Sequence, residues 1–396
     1  MERFIGTVSR GIRAPIIRQG DDIADIVISS VLAAAEQSNF PIQDRDIVAV
    51  TEAVVARAQG NYASVAQIAA DVKAKFGDHT VGVVFPIMSR NRFAICLRGI
   101  ATGAKKIVLM LSYPSDEVGN PIISLDELDD AHINPWTDVL TEEAFCAQFG
   151  HPKHLFTGVD YIDYYKNLIL GCGCEVEVVM ANDCRAILNY TGHVLCCDIH
   201  TRARSKRLLK AAGAELVMGL DDIMTSPIDG SGCNEEYGLL GSNKATEDTV
   251  KLFPRNCRPV VDAIAAGMLQ RTGKQVEVMI YGDGAFKDPI GKIWELADPV
   301  VSPCYTPGLD GQPNEIKIKY LADNDFANLK GDELKAAISA YIKGKDSNLV
   351  GNMASQGTTP RHLTGLIGSL CDLTSGSGDK GTPIVLVQGY FDNYTS

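Results

Sequence analysis

Between about residues 80 and 215, short apolar runs alternate with stretches of helical spacing, and this alternation constrains the fold more than any other feature. Strands are expected at Val81–Phe85, Lys106–Leu111, Val176–Met180 and His193–Cys197. Helices are expected at Arg92–Gly103, Tyr161–Leu170 and Thr201–Ala212, the last bounded by Gly213. Strands separated by helices can pair in parallel, so the pattern predicts an α/β layer structure with some parallel pairing. The polar, proline-containing stretch Ser112–Trp136 interrupts it and reads as a long surface excursion.

The flanks carry other signals. After a short strand, Gly20-Asp21-Asp22 precedes a helix running to Gln37, in which Ile23, Ile26, Val27, Val31 and Ala34 recur at helical spacing. The two aspartates supply a cap and negative charge where the helix dipole favours both. The apolar strand Ile47–Val50 leads into a small-residue helix or turn ending at Gly60. A Gly/Ser-rich stretch, Pro227–Arg255, is followed by a helix at Arg258–Arg271 and a strand at Val276–Tyr281. The chain closes with a helix around His362–Leu373, the loop Thr374–Pro383 and a strand at Ile384–Gly389. A chain of 396 residues exceeds what one core usually serves, so at least two domains are expected.

Charge and cysteine usage exclude some classes. A net charge of -12 argues against a nucleic-acid binder, which would usually show a basic face. The N-terminal MERFIGTVSRGIRAP has no apolar stretch of signal-peptide length, so the scattered cysteines read as reduced thiols of a cytoplasmic protein. No run of about 18 apolar residues suggests a membrane helix.

The residue pattern with most chemical content is QVEVMIYGDGAFKDP, in which an apolar strand runs into a Gly-Asp-Gly turn. Carboxylates at the carboxyl ends of strands commonly hold metal or phosphate in α/β sheets, and Gly282 and Gly284 would let such a group approach the backbone around Asp283. Lys287 and Asp288 follow closely. The bland alternative is an Asp-Gly turn with solvated charges.

In GLLGSNKATEDT, backbone N–H groups with Ser242, Asn243 and Lys244 could receive an anion, although the Walker A spacing is absent and a plain polar loop competes. Gly376–Gly381 could cradle phosphate but leads into a strand, not a helix, which favours a simple turn. Ser89-Arg90-Asn91-Arg92 sets two arginines at an expected helix start, where Arg90 or Arg92 could hold a carboxylate or phosphate. Cys196, Cys197, Asp198 and His200 match no standard zinc spacing. Adjacent strand residues face opposite ways, so core cysteines are the better reading. His151 and His154, three apart around Pro152, could share a site.

Three separated stretches together resemble the coenzyme F-420 γ-glutamyl ligase family. APIIRQGDDIADIV with DRDIVAVTEAVVARAQG is similar to the family's G-D-D helix start, its D-I-V-V-V strand and its V-S-K-A-E-G turn. Arg57 stands at the family's lysine and Gln59 at its acid. GLLGSNKATEDTVKLFPR with VEVMIYGDGAFKDPIG resembles the N-A-G-I-D-x-S-N loop and the I-T-D-T/S-x-G-R strand end. LTGLIGSLCDLTSGSGDKGTPIVLVQG resembles the closing helix, Gly-rich loop and strand.

Departures are specific. Leu240 stands where the family has a metal-ligand Asp, while Asp283 matches the second. Gly284 replaces a Thr or Ser, and Phe286 and Lys287 replace a Gly-Arg pair. The closing helix lacks its acids near Thr364 and Gly365. Asp229, Glu235 or Glu236 could supply the missing carboxylate.

The resemblance implies a mixed α+β and α/β fold, with a ligase core from residues 1–80 and 216–396 and an enlarged α/β insertion at 81–215 that binds the acceptor. It implies an amide-forming ligase in which an acceptor carboxylate takes the γ-phosphate of GTP or ATP, and glutamate then displaces phosphate. Mg²⁺ or Mn²⁺ on Asp283 and Asp288 would serve it, with Arg57 and Lys287 as cationic partners and Gly282, Gly284, Ser242, Asn243 and Lys244 near nucleotide. Arg90 and Arg92 would hold the small acidic acceptor, in a homodimer without nucleic-acid or membrane partners. Two other readings remain open: a nicotinamide-dinucleotide oxidoreductase, for which no G-x-G-x-x-G follows a strand, and a non-catalytic nucleotide-binding relative.

Overall fold

The computed structural model describes residues 4–155, 157–283, 300–358, 361–375 and 379–395. They form two compact units, one from Met1–Val55, Asn256–Asp283 and Lys287–Ser396, the other around Ala56–Arg255. The expected insertion, 81–215, thus lies in a unit that also includes chain on both sides of it.

The first unit holds a five-stranded mixed sheet in the order Val8–Ile12, Ile384–Gln388, Ile47–Thr51, Glu277–Asp283, Val300–Tyr305. Ile47–Thr51 runs parallel to Glu277–Tyr281, and the remaining pairs are antiparallel. Val, Ile and Met dominate the central strands because both faces are covered. Ile47, Ala49, Met279, Tyr281, Val385 and Val387 pack on Ile367 and Cys371 of the helix Leu363–Ser375. The alternating residues Val48, Val50, Val278, Ile280, Ile384 and Leu386 are buried equally fully. Helices Ile23–Gln37 and Arg258–Thr272 pack on one another, so closely at Gly267 that a Cβ there would lie 2.4 Å from Ile28 Cδ1. Asp22 caps the first of these helices, as the Gly-Asp-Asp signal predicts.

The second unit holds a six-stranded sheet in the order Leu140–Thr141, Glu175–Met180, Lys106–Leu111, Val81–Val84, His193–Cys196, Leu216–Gly219. All neighbours are parallel except the Leu140–Thr141 edge. Numbered along the chain, the five parallel strands stand 3-2-1-4-5. This is the doubly wound order, and it reverses direction between Val81–Val84 and His193–Cys196. Alternate residues feed two cores. Val81, Val83, Ile107, Leu109 and Cys197 face one, and Val84, Val108, Met110, Val194 and Cys196 the other. A small sheet, Asn243–Lys244 with Thr249–Lys251 and Tyr62–Ser64, completes the unit.

The helices expected at Arg92, Tyr161 and Thr201 are present as Phe93–Gly103, Tyr161–Gly171 and Arg202–Ala211. The excursion Ser112–Trp136 contains a short helix, Leu125–Asp130, capped reciprocally by Ser124 and Glu127. All eleven cysteines are free. Among the described residues no helix is long and apolar enough to cross a membrane.

Helices Val65–Phe76 and Phe93–Gly103 approach backbone to backbone, since a Cβ on Gly103 would lie 2.4 Å from the carbonyl oxygen of Ala69. Gly103→Ala should therefore destabilise the protein by about 1–3 kcal/mol in urea unfolding. An unchanged midpoint would contradict this helix contact.

Candidate functional site

In the first unit, the carboxyl ends of the two parallel strands lie side by side. Thr51 pairs with Tyr281, so the next step sets Glu52 beside Gly282, and Asp283 ends its strand one residue later. Glu52 is the first residue of the helix Glu52–Gln59 and is only 2% exposed. A Cβ on Gly282 would lie 2.2 Å from Glu52 Cγ, so glycine is required there for the carboxylate side chain to fit. The same edge receives the closing Gly-rich loop. Thr51 donates its N–H to the Pro383 carbonyl at 3.0 Å, and Thr382 Oγ1 donates to the Ser375 carbonyl at 2.7 Å. Burial, then Cys304 and the Glu52 charge, push the nearby Cys257 thiol up to about 12.

Glu52 is the residue that sequence reasoning passed over. Its signal was available, because it comes two residues after the apolar strand Ile47–Val50, as Asp283 does after Val276–Tyr281. Gly284, Lys287 and Asp288 lie outside the described residues, as do 376–378 of the Gly-rich loop.

In the second unit, the arginine turn and the Gly238–Thr249 loop come together. The Lys244 N–H donates to the Asn91 carbonyl at 2.7 Å, which ties Asn243–Lys244 to Ser89–Arg92 at the start of the helix Phe93–Gly103. Arg90 is exposed. Lys244 Nζ pairs with Glu247 at 2.6 Å. Ser242 is buried, with its hydroxyl 3.2 Å from Cys96 Sγ. Leu240 is a core side chain, so packing occupies the position that the resemblance matched to a metal-ligand aspartate. Asp229, Glu235 and Glu236 are exposed.

Arg57 is exposed on its helix. Gln59, at the family's acidic position, clamps Arg255 by accepting its N–H at 3.0 Å and donating to its carbonyl at 2.6 Å. Such a clamp holds the loop end and leaves the Gln59 amide no chemical task.

The switch point of the doubly wound sheet is where such folds bind phosphate-bearing ligands. Here the excursion after Lys106–Leu111 covers it. Glu117 accepts N–H bonds from Ile199, His200 and Thr201 at 2.6, 3.1 and 2.7 Å. Asp116 accepts from Met88, Val118 and Asn120 at 2.8, 3.1 and 2.8 Å. A pyrophosphate would have to displace Glu117 to reach those donors. Cys196 and Cys197 face different cores, and burial drives both thiols far above their usual range, so neither is a ready metal ligand. His154 pins its loop through Asn120 at 3.3 Å and Thr157 at 3.0 Å.

Asp198 beside this crossing is fully buried and accepts from Thr201 and Ser205 at 2.8 and 2.7 Å. Burial raises its pKa to about 6. The Ser205 hydrogen bond partly offsets this and the Glu117 charge adds to it. Between about pH 4, where an unfolded aspartate titrates, and pH 6, the folded protein holds a proton that the unfolded chain has released. The Asp198 contribution therefore weakens as pH rises through that window. Urea unfolding should show Asp198→Asn with a flatter stability profile than the parent from pH 4 to 6. Parallel profiles would refute the assignment.

Compared with known proteins, the chain matches the family model described as F420-0:Gamma-glutamyl ligase over residues 11–389. No curated protein matches it. The family match spans the first unit's sheet from near its first strand to its last and includes the whole second unit. The chain therefore belongs to the F420-0:gamma-glutamyl ligase family.

Proposed function

We propose that this protein joins glutamate to a carboxylate of a deazaflavin-type acceptor, driven by cleavage of GTP or ATP, with the triphosphate and its metal handled at the carboxyl edge of the first unit's sheet. The observation that carries this reading is Glu52, buried against Gly282 one residue before Asp283. A family position that loses one carboxylate at Leu240 would regain one from another strand end.

The residues present fit a hard divalent cation. Two acidic residues close adjacent parallel strands, and oxygen donors suit Mg²⁺ or Mn²⁺. Asp283 and Glu52 would hold it, and it would supply charge neutralisation for the triphosphate. Asp288 remains a proposed further ligand. The Gly-rich loop ending at Pro383, with Gly282 and Gly284, would let phosphate oxygens approach backbone N–H groups. Lys287 and Arg57 are the proposed cationic partners.

In the second unit, Arg90, Arg92, Asn243 and Lys244 gather at one helix start. Two guanidinium groups suit a carboxylate or phosphate of the acceptor, and Ser242 behind them fixes the loop. The acceptor carboxylate oxygen would attack the γ-phosphorus, and the bond to the bridging oxygen would break, leaving the nucleoside diphosphate. The glutamate amine would then attack the acyl carbon, lose a proton and release inorganic phosphate. Family kinship also suggests a homodimer.

The oxidoreductase reading gains nothing at the switch point, where Glu117 takes the N–H groups that a pyrophosphate would need.

Purified protein should consume GTP or ATP with Mn²⁺ or Mg²⁺ only when glutamate and acceptor are both present. Glu52→Gln and Asp283→Asn should each lower kcat by about 100-fold or more, the scale of several kcal/mol of lost charge stabilisation, with the circular dichroism spectrum unchanged. Near-full turnover in Asp283→Asn would remove the central assignment.

A further inference from the structure

The segment joining helices Glu142–Phe149 and Tyr161–Gly171 brings together His151, Asp160 and Asp163, whose ligand atoms all lie within 4.8 Å of one another. We propose that these three side chains form a binding site for a divalent transition-metal ion of the zinc class, separate from the ligase chemistry and not dependent on it.

The distances carry the case. His151 Nδ1 lies 3.4 Å from Asp160 Oδ2 and 3.7 Å from Asp163 Oδ2. These separations are too long for good N–H···O hydrogen bonds, which fall at about 2.7–3.2 Å. They match the edge of a tetrahedron around an ion with bonds of about 2.1 Å, which is about 3.4 Å. Shifts of a few tenths of an ångström would close the shell.

Asp160 supplies an independent sign. Its Oδ1 caps the following helix, accepting the N–H groups of Ile162 and Asp163 at 3.0 and 3.1 Å. Its Oδ2 is buried and accepts no hydrogen bond among the described residues, while the side chain is 11% exposed. A buried carboxylate oxygen without a donor is costly, and a cation facing it removes the cost. With a neutral imidazole the trio carries two negative charges. Lys166, one turn along, is engaged by Glu142 at 2.7 Å.

One imidazole nitrogen with two carboxylate oxygens is a donor set suited to zinc and its neighbours. His151 is 64% exposed and Asp163 50%, so the remaining position opens to water. Cys146, on the preceding helix, is not part of this cluster of ligand atoms.

The test is calorimetric titration of the metal-free full-length protein with Zn²⁺ at neutral pH, comparing the parent with His151→Ala, Asp163→Asn and Asp160→Asn. The first two alter exposed side chains, and asparagine keeps the cap at 160, so each variant should fold. Each should weaken one Zn²⁺ site by at least about tenfold, while Asp283→Asn leaves that site intact. Failure of the parent to bind Zn²⁺, or equal affinity and stoichiometry in parent and His151→Ala, would overturn the proposal.

Discussion

The parallel pairing of Ile47–Thr51 with Glu277–Tyr281 is the contact around which the first unit is organised. It joins segments far apart in sequence, so forming it costs much chain entropy, which burial of Val, Ile and Met on both sheet faces must offset. Its register is unforgiving. A slip of one residue would turn every side chain to the opposite face and move Glu52 away from Gly282. Gly282 is the point where packing meets the proposed chemistry, because any side chain there would collide with Glu52. The antiparallel strand Ile384–Gln388 then delivers the Gly-rich loop to that same edge.

The second unit also gathers carboxylates at its strand ends, but uses them differently. Its doubly wound sheet offers a switch point, and the chain fills it with its own carboxylates. Glu117 satisfies three consecutive N–H groups and Asp116 fastens the loop beside Met88. On another side of the unit the Lys244 amide ties the arginine turn to the Gly238–Thr249 loop. Leu240 in that loop belongs to the apolar core.

Much of this was legible before the structure. Lys106–Leu111 and the helix from Tyr161 follow from local periodicity, and Asp22 from cap chemistry, because both signals reside in neighbouring residues. The opposite facing of Cys196 and Cys197 follows from strand geometry alone. Strand order does not, because it depends on which distant apolar runs pair. Glu52 escaped for that reason. On its own it is one acid at a helix start, and it gains meaning only when Gly282 is laid beside it. Gln59 escaped in the other direction, since an amide at an acidic position gives no hint that it clamps Arg255. Asp116 and Glu117 lie in the stretch read as a surface excursion, and the N–H groups of Met88 and of Ile199, His200 and Thr201 that they receive follow other, distant strands.

Isotope transfer tests the proposed chemistry most directly. A deazaflavin acceptor carrying ¹⁸O in its carboxylate, incubated with the protein, GTP, Mn²⁺ and glutamate, should pass one labelled oxygen to the inorganic phosphate released as the amide forms. Amide formation with unlabelled phosphate, or nucleotide loss that is not coupled to glutamate addition, would contradict an acyl-phosphate ligase at this sheet edge.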